Sequence, residues 1–160
     1  MIKVNIICVG KLQEKYLKDA VNEYSKRLSG LCSFSITEIP EYRLPDNPSQ
    51  AEIDNALEKE GKQIAEKIAN GSVIIAMCIE GKMLSSEQLA NAISNYATNG
   101  FSSLCFIIGG SFGLSNEVKK TAHLQLSMSS MTFPHQLARV LLCEQIYRAF
   151  MINRGSKYHK

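Results

Sequence analysis

Residues 104–113, Leu-Cys-Phe-Ile-Ile-Gly-Gly-Ser-Phe-Gly, join a short apolar run to a glycine-rich loop. The run from Leu104 to Ile108 has the length of a strand and holds no charged residue, which predicts burial on both of its faces. The loop Gly109–Gly113 follows at once, and a short helix is predicted to begin near Asn116. A buried strand that leads through a glycine loop into a helix is typical of a parallel sheet covered by helices.

The same alternation of strands and helices extends from this stretch in both directions. Four further strands are predicted at Ile2–Val9, Phe34–Thr37, Val73–Ile79 and Leu124–Met128. Four longer helices are predicted between and after them, around residues 16–28, 49–68, 85–97 and 134–154. The chain is therefore predicted to be an α/β protein of three layers, with a mostly parallel sheet, helices on both faces and a single domain over residues 1–160.

Local patterns add detail to this predicted fold. Ser49 with Glu52, and Ser85 with Gln88, have the spacing of capping boxes and are predicted to begin two helices. Pro134 is predicted to be the first residue of the last helix. The run Val73–Ile79 is apolar throughout, so burial on both faces is expected. The last helix is expected to pack through Leu137, Val140, Leu141, Cys143 and Phe150.

Composition excludes several classes of protein. The chain has 160 residues, and 18 basic against 15 acidic side chains give a net charge of +3, too small to indicate a polyanionic partner by itself. The charge is segregated, because residues 41–70 carry a net −3 and residues 135–160 a net +4. No apolar run reaches the length of a membrane span and no signal peptide is evident, so a cytoplasmic protein without a membrane partner is expected. Five cysteines in irregular spacing are expected to be mostly buried free thiols, and no metal is expected.

The glycine loop permits several chemical interpretations. Gly109–Gly113 fits the nucleophile elbow G-x-S-x-G, but every aspartate precedes Ser111, which disfavours a serine hydrolase. The first strand ends at Gly10-Lys11 without the glycine fingerprint of dinucleotide-binding proteins. Gly109 and Gly110 then indicate either close approach of the backbone to a ligand or a tight turn, and the pattern alone does not choose between them.

Two segments near the C-terminus are candidate binding regions. Residues 129–135 place hydroxyls, free backbone donors and apolar side chains at a helix N-terminus, which suits an adenosine-like ligand but also an ordinary capped helix. Beyond them, cationic side chains and rings suit RNA phosphates and bases, although a solvated helix end is the alternative. This second set comprises Arg139, Arg148, Arg154, Lys157, Tyr158, His159 and Lys160.

Several separated motifs, in order, resemble those of one known family. They are Val9-Gly10-Lys11-Leu12, Gly81-Lys82, Ile107-Ile108-Gly109-Gly110, Met131-Thr132-Phe133-Pro134-His135, Glu144-Gln145-Ile146-Tyr147-Arg148-Ala149 and Tyr158-His159-Lys160. Together these residues resemble the ribosomal large-subunit methyltransferase H family of the SPOUT superfamily, from the first strand to the last residue.

The resemblance implies a fold and an activity that periodicity does not reveal. It implies a deep trefoil knot near the C-terminus and a homodimer with its sites near the interface. It also implies an S-adenosyl-L-methionine-dependent enzyme that methylates N3 of a pseudouridine, position 1915 in helix 69 of 23S rRNA, within the ribosome.

The resemblance also implies roles for individual residues. The cofactor is expected to contact Met77, Gly109, Met128, Ser129, Ser130, Met131, Thr132 and Phe133. Substrate binding and catalysis are expected of His135, Glu144, Arg148, Tyr158 and His159, with the C-terminal tail reaching the partner subunit's site. The N3–H group is a weak acid, so His159 or His135 is a candidate base and an arginine a candidate stabiliser of the imide oxygens, with solvent as the other proton acceptor.

Two alternatives to this activity remain open at the level of sequence. One keeps the cofactor but takes tRNA as substrate, as other SPOUT proteins do. The other is a non-catalytic RNA-binding module that uses the basic C-terminus and no cofactor.

Overall fold

The computed structural model describes residues 1–160 and contains five strands and five helices. In chain order they are β1 (Lys3–Val9), α1 (Lys15–Ser29), β2 (Ser33–Ile39), α2 (Gln50–Lys67), β3 (Val73–Met83), α3 (Ser86–Thr98), β4 (Ser103–Ile108), α4 (Asn116–Thr121), β5 (Leu124–Ser127) and α5 (His135–Asn153). All paired strands are parallel, in the order β2-β1-β4-β3-β5. The predicted parallel sheet is confirmed.

Helices cover both faces of this sheet, as predicted. α1, α3 and α5 pack against one another on one face, while α2 packs with α4 on the other. Alternating residues of the central strands enter the two cores: Ile6 and Phe106 face the α5 side, and Ile7 and Ile107 face the α2 side. Burial on both faces explains why these strands are apolar at nearly every position.

The helix starts follow the predicted capping chemistry with one difference. The Ser49 hydroxyl accepts a hydrogen bond from the Glu52 amide at 3.2 Å, and both capping boxes are complete. Pro134 is the N-cap of α5 rather than its first helical residue, because its ψ of 135° is not helical. The prediction was thus wrong by one position.

Strand β3 departs from its expected burial. It continues to Met83, beyond the predicted end at Ile79, and only Val73, Ile75 and Ala76 in its first half are buried. Ile79 is 55% exposed because this part of β3 projects past the sheet, where its pairing with β5 shifts register between Met77 and Lys82. Burial of the whole run on both faces was therefore a wrong expectation.

Helix α5 turns a different face to the core from the expected one. Its buried residues are Arg139, Leu142, Cys143, Ile146 and Ala149. Of the expected set only Cys143 is buried, whereas Leu137 is exposed and the others are partly exposed. Apolar residues surround most of this helix, so their spacing does not indicate which face is buried. The predicted set of packing residues was therefore wrong except for Cys143.

All five cysteines are free, as expected, and four are buried. Burial raises the pKa of the Cys8, Cys105 and Cys143 thiols to about 12 and that of Cys32 to about 11. Cys78 is only partly buried. None of the helices is both long and apolar enough to cross a lipid bilayer.

Candidate functional site

A cleft beside the glycine loop lies at the C-terminal ends of β3, β4 and β5. It has a volume of about 780 Å³, and half of its 22 lining residues are hydrophobic. The chain leaves β1 toward β2 but leaves β4 toward β5, so the strand order reverses between β1 and β4. Open α/β sheets bind ligands outside the carboxyl ends of strands beside such a switch point.

The glycine loop forms one wall of the cleft through a tight turn. The Gly113 amide donates to the Gly110 carbonyl at 3.1 Å, and Gly113 has a φ of +78°. A Cβ added to Gly109 would lie 2.3 Å from the Gly113 carbonyl oxygen, which no side chain tolerates. Of the two explanations that the sequence left open for Gly109, the turn therefore suffices, and contact with a ligand stays a prediction.

An acidic residue from a distant loop fixes the glycine loop in place. The Ser111 amide and hydroxyl both donate to Glu41 Oε1, at 3.0 and 2.9 Å. Glu41 also fills the space beside Gly110, whose added Cβ would lie 2.7 Å from the same oxygen. No histidine bonds to Ser111, so a hydrolase triad is absent. Sequence reasoning missed Glu41 because nothing links two residues 70 positions apart.

The segment between β5 and α5 forms the opposite wall and contains most of the predicted cofactor residues. The Ser129 hydroxyl accepts from the Met131 amide at 3.0 Å, and its carbonyl accepts from Ser127 Oγ at 3.0 Å, which folds the segment back on itself. Ser130 alone of the predicted set does not line the cleft. The predicted residues on the cleft wall are Met77, Gly109, Met128, Ser129, Met131, Thr132, Phe133 and His135.

The other four predicted catalytic residues form a separate cluster on α5 and the tail. Glu144 is its centre, because it accepts from Arg148 Nε at 2.9 Å and from the Tyr158 hydroxyl at 3.0 Å. Arg148 also stacks on the Tyr158 ring, 4.7 Å from its centroid. Partial burial, with the neighbouring Glu144 carboxylate, raises the pKa of Tyr158 above its ordinary value.

His159 is held at both ring nitrogens. Nε2 lies 2.6 Å from Glu87 Oε1 of α3, and Nδ1 lies 3.2 Å from an Arg148 amino group. Arginine only donates, so Nδ1 accepts and the ring proton resides on Nε2, which donates to Glu87. The hydrogen bond from His159 lowers the pKa of Glu87.

Residues of α1 complete this cluster, although sequence reasoning did not include them. The Arg27 guanidinium lies 5.5 Å from the Tyr24 ring centroid and 5.8 Å from that of Tyr147. Burial and the Glu144 carboxylate raise the pKa of Tyr24 to about 12. The sequence predicted only a helix around residues 16–28, and helical spacing gives no sign that Tyr24 would lie beside the Glu144 carboxylate.

Within one chain the two groups of predicted residues do not meet. Glu144 follows His135 by nine residues of α5, which separates them by about 13 Å along the helix axis. His135 lies at the cleft, while Glu144, Arg148, Tyr158 and His159 lie outside it. No group of three or more histidine, cysteine or acidic side chains is arranged to hold a metal ion.

Comparison with known sequences supplies the family. Residues 2–159 match a sequence family described as "Predicted SPOUT methyltransferase". A protein of Streptococcus uberis named "Ribosomal RNA large subunit methyltransferase H" is 50% identical over 159 residues, 99% of this chain and 100% of the relative. One with the same name from Clostridioides difficile is 52% identical over the same shares of both chains.

Solved structures show the same fold at low sequence identity. A "probable methyltransferase" from Bordetella pertussis Tohama I has a TM-score of 0.58 at 15% identity, over 92% of this chain and 93% of that one. A "probable methylase family protein" from Haemophilus influenzae Rd KW20 has a TM-score of 0.55 at 14% identity, over 98% and 70%. These likenesses bear on the fold alone.

Proposed function

The chain belongs to the SPOUT methyltransferase family, and from this we propose that it methylates ribosomal RNA of the large subunit with S-adenosyl-L-methionine as donor. The observation that carries the proposal is the full-length match at about half identity to relatives named for this activity. At the finer level we propose N3 of the helix 69 pseudouridine in 23S rRNA as the acceptor, on an assembled ribosome in the cytoplasm.

The cleft fits the proposed cofactor in size and chemistry. Its volume of about 780 Å³ lies in the range of small-molecule sites, roughly 300–1,000 Å³. Met77, Met128 and Phe133 offer apolar walls for a base, and the backbone of residues 109–113 and 129–133 offers polar groups for its edge. When bound there, S-adenosyl-L-methionine supplies an electrophilic methyl group. The chain's contribution is to orient the acceptor in line and to exclude water.

His135 is the histidine that lines the cleft, which supports it as the proposed acceptor of the N3 proton. It begins α5 and lines the cleft, close to Gly10 at the end of β1. His159 is a poorer candidate in the position described, because its Nδ1 lone pair already accepts from Arg148. An unprotonated His135 would accept the N3 proton as the methyl bond forms, and an arginine would stabilise the charge on the imide oxygens.

A second copy of the chain would bring the remaining predicted residues to the cleft. Ile79 and Met131, which line the cleft, are large apolar side chains left exposed, as are Leu137 and Met83, and exposed apolar patches mark interfaces. We propose a homodimer in which the tail cluster around Glu144 serves the partner's cleft. Mixing subunits that lack Tyr158–Lys160 with subunits carrying His135→Ala tests this, because mixed dimers regain one complete site and neither parent does. Failure of mixed dimers to regain activity would refute the shared site.

The C-terminal knot is part of the same proposal. Strand β5 lies at one edge of the sheet, yet α5 returns to pack between α1 and α3. Such a return is what a threaded C-terminus requires, and threaded chains are otherwise very rare. Tracing the backbone in an experimental electron-density map tests the crossing directly.

Transfer of a labelled methyl group tests the activity. Purified protein is incubated with labelled cofactor and, separately, with ribosomes lacking the modification, isolated subunits and tRNA. Label in ribosomal RNA alone is expected; label in tRNA alone would indicate the tRNA enzyme instead. No transfer to any substrate, together with no calorimetric binding of S-adenosyl-L-methionine, would favour a non-catalytic RNA-binding module and overturn the proposal.

A further inference from the structure

A second cavity lies on the other side of the N-terminal turns of α5 and shares no lining residue with the cleft. Its volume is about 650 Å³, and it is bounded by α1, the turn after β1 and the outer strand β2. Lys11 and Lys18 are exposed on its rim, and the buried Arg139 and the half-exposed Glu38 line it as well. The activity described above assigns no role to this cavity.

The cavity carries a surplus of two positive charges. Three cations, Lys11, Lys18 and Arg139, line it against the single carboxylate of Glu38. That carboxylate is already engaged by the Arg139 guanidinium at 2.5 Å and by the Leu12 amide at 3.3 Å. Neither lysine ammonium group makes a hydrogen bond or ion pair within the chain, so their donors are free for an anion.

Arg139 and Glu38 form an ion pair that fixes one wall of the cavity, so the uncompensated positive charges are those of Lys11 and Lys18. The Arg139 side chain is only 2% exposed and is held by Glu38 and by the Gly10 carbonyl at 3.1 Å, while its Nε has no hydrogen-bond partner. The bond from Leu12 to Glu38 ties the turn that carries Lys11 to the same centre, so the site is organised before any ligand binds.

The position of the cavity relates it to the cleft. Arg139 directly follows Ala138, which lines the cleft, and it lies one helical turn, about 6 Å, beyond His135. Lys11 directly follows Gly10, which packs beside His135. An RNA strand whose target base enters the cleft would therefore carry a neighbouring phosphate past Lys11 and Lys18.

We infer that this cavity binds a backbone phosphate of the RNA strand that flanks the methylated nucleotide. The inference rests on the proposed function for its substrate, but the cavity is tested separately from catalysis. Lysine ammonium groups are common partners of phosphate, and a contact to the backbone positions the strand without reading its sequence.

Removing the two free cations tests the site. The variant Lys11→Gln/Lys18→Gln is compared with Lys62→Gln/Lys67→Gln, which removes two exposed lysines from α2, on the far face of the sheet. Loss of two phosphate contacts should weaken binding of RNA roughly ten-fold and reduce the slope of log affinity against log salt by about 1.4. In the Lys11→Gln/Lys18→Gln variant, KM for ribosomes should rise. Its kcat and its affinity for S-adenosyl-L-methionine should both stay unchanged. Equal salt slopes and equal KM in both double variants would overturn the inference.

Direct binding separates this inference from the proposed activity. Fluorescence anisotropy with a labelled single-stranded RNA needs no methyl transfer, so a loss confined to the Lys11 and Lys18 variant supports the cavity even if no substrate is methylated. A second binding experiment uses inorganic phosphate in place of RNA. Binding of phosphate is followed by NMR through the backbone amide signals of Lys11 and Lys18. If phosphate binds the cavity at submillimolar concentration and RNA does not displace it, the cavity is a site for free phosphate and the assignment to RNA is wrong.

Discussion

Replacing Gly109 by alanine places a methyl group where the glycine turn leaves no room. The added Cβ would lie 2.3 Å from the Gly113 carbonyl oxygen and 2.5 Å from its carbon, both backbone atoms. Ordinary contacts of this kind exceed 3.4 Å, so the turn must open by about 1 Å, and neither partner is a flexible side chain that can move aside. Forced overlap in a packed region costs about 1–3 kcal/mol. We expect the upper part of this range.

Thermal unfolding and calorimetry measure this effect together. For a chain of this size 1 kcal/mol corresponds to roughly 2–4 °C, so a cost of about 2–3 kcal/mol should lower the Tm of Gly109→Ala by about 4–12 °C. Because the turn forms a wall of the cleft, its affinity for S-adenosyl-L-methionine should fall as well. Gly30→Ala is the matched control, since Gly30 has a φ of −84° with nothing within 4 Å of its added Cβ, and it should leave both quantities unchanged or raise Tm slightly. A Gly109→Ala protein with the Tm and affinity of Gly30→Ala would refute the steric reasoning.

Three further predictions follow from the contacts described. Glu41→Ala should weaken S-adenosyl-L-methionine binding roughly ten-fold in a calorimetric titration. Ser111 then loses both of its hydrogen bonds to a charged acceptor, which are worth about 1–2 kcal/mol at an exposed site. Unchanged affinity would contradict the role of Glu41 in holding the glycine loop. Deleting residues 158–160 should preserve cofactor binding and abolish methyl transfer, and full turnover by the shortened chain would exclude a role for the tail. Burial on folding raises the pKa of the Cys8 and Cys105 thiols from 9.0 to about 12, so both stay protonated in the folded protein. Their contribution to the free energy of unfolding is therefore complete below pH 9 and declines as the pH rises above it. Chemical denaturation from pH 8 to 11 should show a loss of at most about 1.4 kcal/mol per pH unit for each thiol, and a flat profile would contradict the burial.

The sequence predicted the order of the elements because each left a local signal. Capping boxes at Ser49 and Ser85 began helices where expected, and the apolar run at residues 104–108 became a central strand. The inner face of α5 was mispredicted because apolar residues surround most of that helix, so its orientation depends on neighbours that are distant in sequence. Glu41 and Glu87 act through partners at least 70 residues away, and no spacing rule connects them.

The strand order has a consequence for how the chain folds. Strand β1 pairs on one side with β2, which follows within 30 residues, but on the other side with β4, whose first residue is Ser103. Until β4 has been synthesised, β1 and β3 have no strand to join them, and the sheet cannot close at its centre. Pairings between such distant parallel strands carry a large loop-closure entropy and form slowly. The centre of the sheet in this small protein must therefore form only after the first two-thirds of the chain has appeared, rather than grow from the N-terminus.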